Sequence, residues 1–197
     1  MREIGSIKLV QIQRSPLKRG EKPHRYYDPS EILTMSSLLL TGKGVIGVIS
    51  DDEHLLDVHH ADHPRSHHQG DNGISIGFTS HYRSMRARFG EHLLDGYAGE
   101  NILVETEEEQ TLSDLEGGVT IEIAATGQLV PLKDIMVAAP CVEFSRFSLK
   151  EDNEPSAEQL KKALQFLNHG KRGFYATLAD SASFIEIQAG DRLLTSA

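Results

Sequence analysis

The one cysteine of this 197-residue chain is Cys141, directly after Pro140. A cysteine thiolate can act as a nucleophile, a ligand for a soft metal or the carrier of a persulfide. The apolar run Ile135-Met136-Val137-Ala138-Ala139 leads into it and Pro140 stops the run. Proline has no backbone N–H and a fixed φ, so a sheet interior rejects it. The spacing therefore places the thiol where a strand ends or bulges, at the rim of a sheet or barrel, where side chains are re-aimed towards ligands. The competing reading is a small buried hydrophobe, a common fate of free cysteine.

A second concentration of chemistry lies in residues 59–73, His59-His60-Ala61-Asp62-His63-Pro64-Arg65-Ser66-His67-His68-Gln69-Gly70-Asp71-Asn72-Gly73. Half of the ten histidines fall here, and imidazole is the commonest metal ligand. His60-x-Asp62-His63 resembles the second half of the H-x-H-x-D-H signature of metallo-β-lactamase-type hydrolases, but Val58 stands where its first histidine belongs. A zinc or other transition-metal site would use His60 and His63, with Cys141 as a further donor. The alternative is a hydrated loop with one or two residues facing a ligand. Cations form a third group. Lys18, Arg19, Lys22, His24 and Arg25 crowd residues 17–29, which read as a long loop, either solvated or facing an anion. Arg83 and Arg86, three apart, share one side of a helix and are either a solvated edge or half of an anion pocket.

The elements that must position these groups are mostly short strands. Residues 7–12, 45–49, 55–58, 74–78, 102–104, 119–123, 135–138, 174–178, 184–187 and 193–194 are rich in β-branched residues or alternate. Residues 31–40 fit helix or strand; turn chemistry at Thr41-Gly42-Lys43-Gly44 favours a hairpin into residues 45–49. Two helices stand out. One, residues 81–89, is capped by Thr79 or Ser80 and carries Tyr82, Met85 and Phe89 on one face. The other follows the capping box Ser156-x-x-Gln159 and carries Leu160, Ala163, Leu164 and Leu167, the stripe that should pack it against the barrel. Many short strands with few helices indicate one mainly β domain over residues 1–197, a closed or nearly closed antiparallel barrel.

Composition excludes several classes. The net charge of −9 opposes a broad nucleic-acid face, and 6% aromatics without tryptophan provide no stacking platform for single strands. No apolar run reaches membrane-spanning length, residues 1–6 lack the apolar core of a secretion signal, and one cysteine suits a reducing cytoplasm.

The ordered motifs resemble the MOSC domain, the C-terminal domain of molybdenum-cofactor sulfurase. The carriers are Gly99-Glu100-Asn101-Ile102 after a glycine turn, Pro140-Cys141 about forty residues on, the following helix, Arg172-Gly173-Phe174-Tyr175-Ala176, and Gly190-Asp191. The likeness runs from about residue 31 to the end. The chain departs from the family in its His-rich loop and in lacking the separate N-terminal barrel of sulfurases and amidoxime-reducing relatives. The resemblance implies a barrel related to the extra domain of pyruvate kinases. It also implies molybdenum-cofactor binding or sulfur carriage, as a molybdenum-dependent oxidoreductase or a sulfur transferase, with Cys141 as metal ligand or persulfide site. A sulfur donor or redox protein would be the partner. Family descriptions also mention pyridoxal phosphate, although no lysine is singled out for a Schiff base. The pterin's phosphate needs cations or backbone N–H groups. Arg83, Arg86, Lys171, Arg172, His67 and His68 are the candidates, and Asn101 is a candidate partner for the pterin edge. Two or more members of the set Arg83, Arg86, Lys171, Arg172 and the 59–68 group should share one cleft with Cys141.

Overall fold

The computed structural model describes residues 1–50, 52–66, 70–150, 154–182 and 184–196. The first half contains strands β1 (Arg2–Gln13), β2 (Lys18–Arg19), β3 (Tyr26–Tyr27), β4 (Ile32–Met35), β5 (Ser37–Thr41), β6 (Gly44–Ser50), β7 (Glu53–Leu56) and β8 (Ile74–Phe78), then helix α1 (Thr79–Phe89). After these come β9 (Ile102–Val104), α2 (Leu112–Leu115), β10 (Val119–Glu122), β11 (Leu129–Val137), α3 (Val142–Leu149) and α4 (Ala157–Leu167). The chain finishes with β12 (Phe174–Leu178), β13 (Ile185–Gln188) and β14 (Arg192–Thr195). No helix among the described residues is long and apolar enough to cross a membrane.

Strands β14, β10, β11, β12, β8, β9 and β1 pair in that order, and β1 returns to β14, closing a seven-stranded barrel. Closure satisfies the edges that an open sheet would expose. Every pairing in the ring is antiparallel except β8–β9, so the barrel is mixed. The reason is the α1 crossover between these two strands, which returns the chain in the same direction. β1 is long enough to serve β14 near its start, β9 midway and β4 at its end. Register shifts between Glu3 and Gly5 and between Ile7 and Leu9 bend it around the ring. The hairpin expected across residues 31–49 is present as β5–β6, within a second sheet ordered β13-β5-β6-β7.

Two apolar cores result. Ile7, Ile12, Ile74, Ile76, Phe78, Ile121, Phe174 and Leu193 fill the barrel, and Leu38, Leu40 and Ile187 of the second sheet join them. Outside the ring, Tyr27, Tyr82, Met85, Leu103, Phe144 and Leu167 gather beneath α1, α3 and α4.

Four local readings need correction. Residues 17–29 include the small β2–β3 ribbon. Helix α1 starts at Thr79 with Phe78 as its N-cap and no side-chain cap, because Thr79 Oγ1 is used by the neighbouring loop: it accepts from the Thr106 N–H at 3.0 Å. Helix α3, directly after Cys141, has no counterpart in the strand pattern. Helix α4, expected against the barrel, packs on α3 and, through Phe166, edge-on to Phe89 of α1 at 5.4 Å. Its capping box is formed as the sequence indicates, with Ser156 Oγ accepting from the Gln159 N–H and the Gln159 side chain accepting from the Ser156 N–H.

Candidate functional site

Strand β11 ends at Val137, and three residues later the chain turns into α3 with Cys141 as the N-cap. Its Sγ accepts from the Phe144 N–H at 3.5 Å, and its carbonyl accepts from the Ser145 N–H at 3.0 Å and the Ser145 hydroxyl at 2.9 Å. Cys141 thus takes the place usually held by Ser, Thr, Asp or Asn at a helix start. The thiol is half-buried and lines a cavity of about 690 Å³. Pockets of roughly 300–1,000 Å³ are the usual size for small molecules and cofactors.

Three segments bring cations, aromatics and an imidazole to this cavity. The β2–β3 ribbon contributes Lys18, Arg25 and Tyr27, the loop after β7 contributes His59 and Arg65, and Arg172 and Tyr175 come from the entry to β12. Gln13 of β1 and Val137 of β11 complete the opposite walls, and Asp71 is the acidic member of the lining. In a protein of net charge −9, Lys18, Arg25, Arg65 and Arg172 make a local positive field.

Arg172 is fixed from behind. Its Nη1 donates to the Ala139 carbonyl and its Nη2 to the Ala98 carbonyl, each at 3.3 Å, and the guanidinium lies 5.7 Å from the Phe144 ring centroid. Burial works against its charge, but Tyr175, Tyr27 and Cys141 beside it more than offset this, so its proton is held more tightly than usual. Tyr27 donates to the Tyr97 carbonyl at 2.8 Å, and burial keeps its phenol protonated well above the ordinary range despite Arg172. Arg25 donates to Glu143 Oε1 at 2.7 Å. Burial opposes the Glu143 charge, yet its own backbone N–H and Arg25 hold the carboxyl below its usual value.

A buried polar network supports the His59 side. Asp57, fully enclosed, accepts from the Gln13 N–H at 2.7 Å, Asn101 Nδ2 at 3.0 Å and the His59 N–H at 2.8 Å. His59 Nδ1 lies 2.9 Å from Asp57 Oδ1. Burial works against the Asp57 charge, but the hydrogen bond and charge of His59 and the backbone donors outweigh it, and its pKa falls below the ordinary value. An ionised Asp57 only accepts, so Nδ1–H donates to it and the bond holds the imidazole in one orientation.

Asn101 belongs to this network rather than to the cavity lining. Its Oδ1 accepts from the Ser75 N–H and hydroxyl, and its Nδ2 donates to Asp57 and to the Gln11 carbonyl. The preceding glycine turn is required by the same wall. Gly99 has φ +85°, and a Cβ there would stand 2.7 Å from Gln13 Nε2, which donates to the Gly99 carbonyl.

Among the residues singled out from sequence, the structure brings together Cys141, Arg172 and the 59–68 loop through His59 and Arg65. Arg83 instead donates to the Thr106 and Glu107 carbonyls, and Arg86 is tied to Asp95 at 2.7 Å. Lys171 pairs with Glu109 beside Phe166. None of these three lines the cavity. His60 is buried and its Nδ1 accepts from the Asp62 N–H; His63 Nδ1 accepts from the Arg65 N–H. No group of three or more His, Cys, Asp or Glu side chains placed to share an ion occurs among the described residues. His67 and His68 lie outside the described residues. Sequence reasoning gave no site role to Asp57 or Tyr27, and took Tyr175 only as part of a motif. The Asp57-x-His59 spacing was a readable signal, since an aspartate bonding the backbone N–H two residues on is ordinary turn chemistry.

No family model matches the chain, and no curated protein matches it in sequence. Solved structures do. The YuaD protein from Bacillus subtilis superposes with a TM-score of 0.58 at 12% identity, over 96% of this chain and 93% of that one. YiiM from Escherichia coli gives 0.53 at 14%, over 100% and 70%, and YiiM from Geobacillus stearothermophilus gives 0.52 at 16%, over 99% and 75%. At these identities the likeness defines the fold, a MOSC-like β-barrel.

Proposed function

We propose that this chain is a MOSC-family protein that binds the phosphate-bearing pterin of the molybdenum cofactor in the Cys141 cavity, with Cys141 as the ligand to the metal. The supporting observation is the meeting of one thiol with Lys18, Arg25, Arg65 and Arg172 in a cavity of about 690 Å³ on an acidic protein. The donor set fits the group. A thiolate is a soft ligand suited to molybdenum, and guanidinium groups suit a phosphate. Arg172 uses one donor of each Nη on a backbone carbonyl, so the fixed guanidinium keeps further N–H groups for a phosphate. When bound, the cofactor supplies metal-centred redox chemistry. The chain's own residues would hold the phosphate with the arginines and offer an Asp57-oriented imidazole for proton exchange.

The same thiol favours a second reading, a persulfide carrier without metal. At the N-cap its Sγ faces the Phe144 N–H, and an ionised sulfur there would also lie in the field of Arg172. The zinc reading draws no support from His60 and His63, which face local backbone donors.

Expression in a cofactor-competent host, followed by elemental analysis and mass spectrometry, tests both. Molybdenum bound stoichiometrically in wild type and lost in Cys141→Ser supports the cofactor reading. One added sulfur on Cys141 without metal supports the carrier reading. Arg172→Gln should weaken cofactor binding by about 1.5–3 kcal/mol, the scale of a charge-assisted hydrogen bond. Neither metal nor sulfur in wild type would overturn both readings.

A further inference from the structure

Beneath the Cys141 cavity lies a second, water-sized one of about 10 Å³. Gln13, His59, Arg172 and Tyr175 line both, so the two share a wall. Glu100 lines only the small one. It is 3% exposed; its Oε2 accepts from the Tyr82 hydroxyl at 2.9 Å, while its Oε1 has no protein partner. Arg172 lines the same small cavity, and its Nε is likewise buried and unpartnered. Two residues on one space of this size, one carrying an orphaned acceptor and the other an orphaned donor, fit a single bridging water, because a buried water typically satisfies two to four otherwise unpaired groups. Gly77 keeps the carboxyl in place: a Cβ there would stand 2.5 Å from Glu100 Oε1.

We propose that Glu100 is a proton-exchanging acid of the Cys141 cavity, joined to the anion site by a water held between Glu100 Oε1 and Arg172 Nε–H. This rests on the anion-binding reading above. Burial pushes the Glu100 carboxyl up to about 7, against its own backbone N–H, the Tyr82 hydroxyl and Arg172; Asp95 adds to the rise. The groups facing it are Tyr82 from α1, Tyr27 of β3, Arg172 and Tyr175 at β12, His59 after β7, and Asp95 in the turn after α1. An anion seated on Arg172 takes up part of the positive field that stabilises the carboxylate. Glu100 then binds a proton, delivered through the water: the water gives one proton to Oε1 and receives one from the solvent side, so its own composition is unchanged.

Sulfate, which has no proton to exchange near neutrality, is the probe. Calorimetric titration at pH 7 in two buffers of different ionisation heat should show net uptake of roughly 0.4 proton per sulfate, what a one-unit rise from about 7 draws. Glu100→Gln should abolish that uptake and flatten the fall of sulfate affinity as pH rises through 7. The same pair in a His59→Gln background is the control for the imidazole on the shared wall. A crystal structure should show a water within hydrogen-bond distance of both Glu100 Oε1 and Arg172 Nε. A dry small cavity, or uptake that persists in Glu100→Gln, overturns the inference. If sulfate does not bind wild type at all, the anion-site reading fails. The Glu100 carboxyl is then judged by infrared titration of the free protein: a protonated-carboxyl band lost near pH 7 and absent in Glu100→Gln upholds its proton-holding role, and no such band ends it.

Discussion

The barrel interior and the polar bed beside it are both buried, but different forces hold them. β8 belongs to both: Ile74, Ile76 and Phe78 join the apolar core, while Ser75 pairs with Asn101 and Gly77 leaves room for Glu100. All five of its residues are buried, so a strand that alternates in sequence has no wet face. The interior is non-directional, and a lost methyl group there costs only its own transfer energy and a small cavity. The bed runs through Gln11, Gln13, Asp57, Ser75 and Asn101, where each donor depends on one particular acceptor. Removing one acceptor there strands several donors at once. Apolar packing therefore gives the barrel tolerance, and the bed gives the cavity a fixed wall.

The largest break in that contrast should come from Asp57→Ala, which removes the acceptor of Gln13, Asn101 and His59 together. A loss of about 3–5 kcal/mol is expected, measured by urea unfolding. A loss near 1 kcal/mol would mean that the bed is as forgiving as the core.

The next effect is a pH slope. Glu100 rises from its ordinary 4.5 to about 7, so between these values the unfolded chain releases a proton that the folded one keeps. Stability from this group is full below pH 4.5 and declines as pH rises to about 7, by about 3 kcal/mol in all. Asp57 acts in the opposite sense, because its depressed pKa contributes stability above the unfolded value that is lost on acidification through the folded one. Unfolding free energies of wild type and Glu100→Gln across pH 4.5–7.5 should diverge accordingly, and parallel curves would show that Glu100 is ionised throughout.

Ile121→Val, in the middle of the barrel, should cost only about 0.5–1.5 kcal/mol, with no change in sulfate binding. The smallest stability change is expected for Cys141→Ser. Serine is a favoured N-cap and keeps the acceptor facing Phe144, so unfolding should move by no more than about 0.5 kcal/mol. Alkylation of the folded protein should nevertheless disappear entirely.

The sequence by itself determined the elements whose signals are local. Alternation marked residues 74–78 and 119–123 as strands, realised as β8 and β10, the Ser156–Gln159 box started α4, and the glycines before Asn101 permitted the positive φ found there. It also marked Cys141 as the end of an apolar run, though not as a helix cap: α3 has only eight residues, and two turns directly after a proline give little periodicity. Only the tertiary structure decided which cations meet the thiol. Arg83, Arg86 and Arg172 are equivalent as letters. The α1 crossover carries the first two to carboxylates and carbonyls outside the cavity, while the turn into β12 brings Arg172 against Cys141. The Asp57–Asn101 bond spans 44 residues and exists because β1, β8 and β9 close one ring. Local patterns record how a segment folds on itself, whereas the site depends on which distant segments ring closure sets side by side.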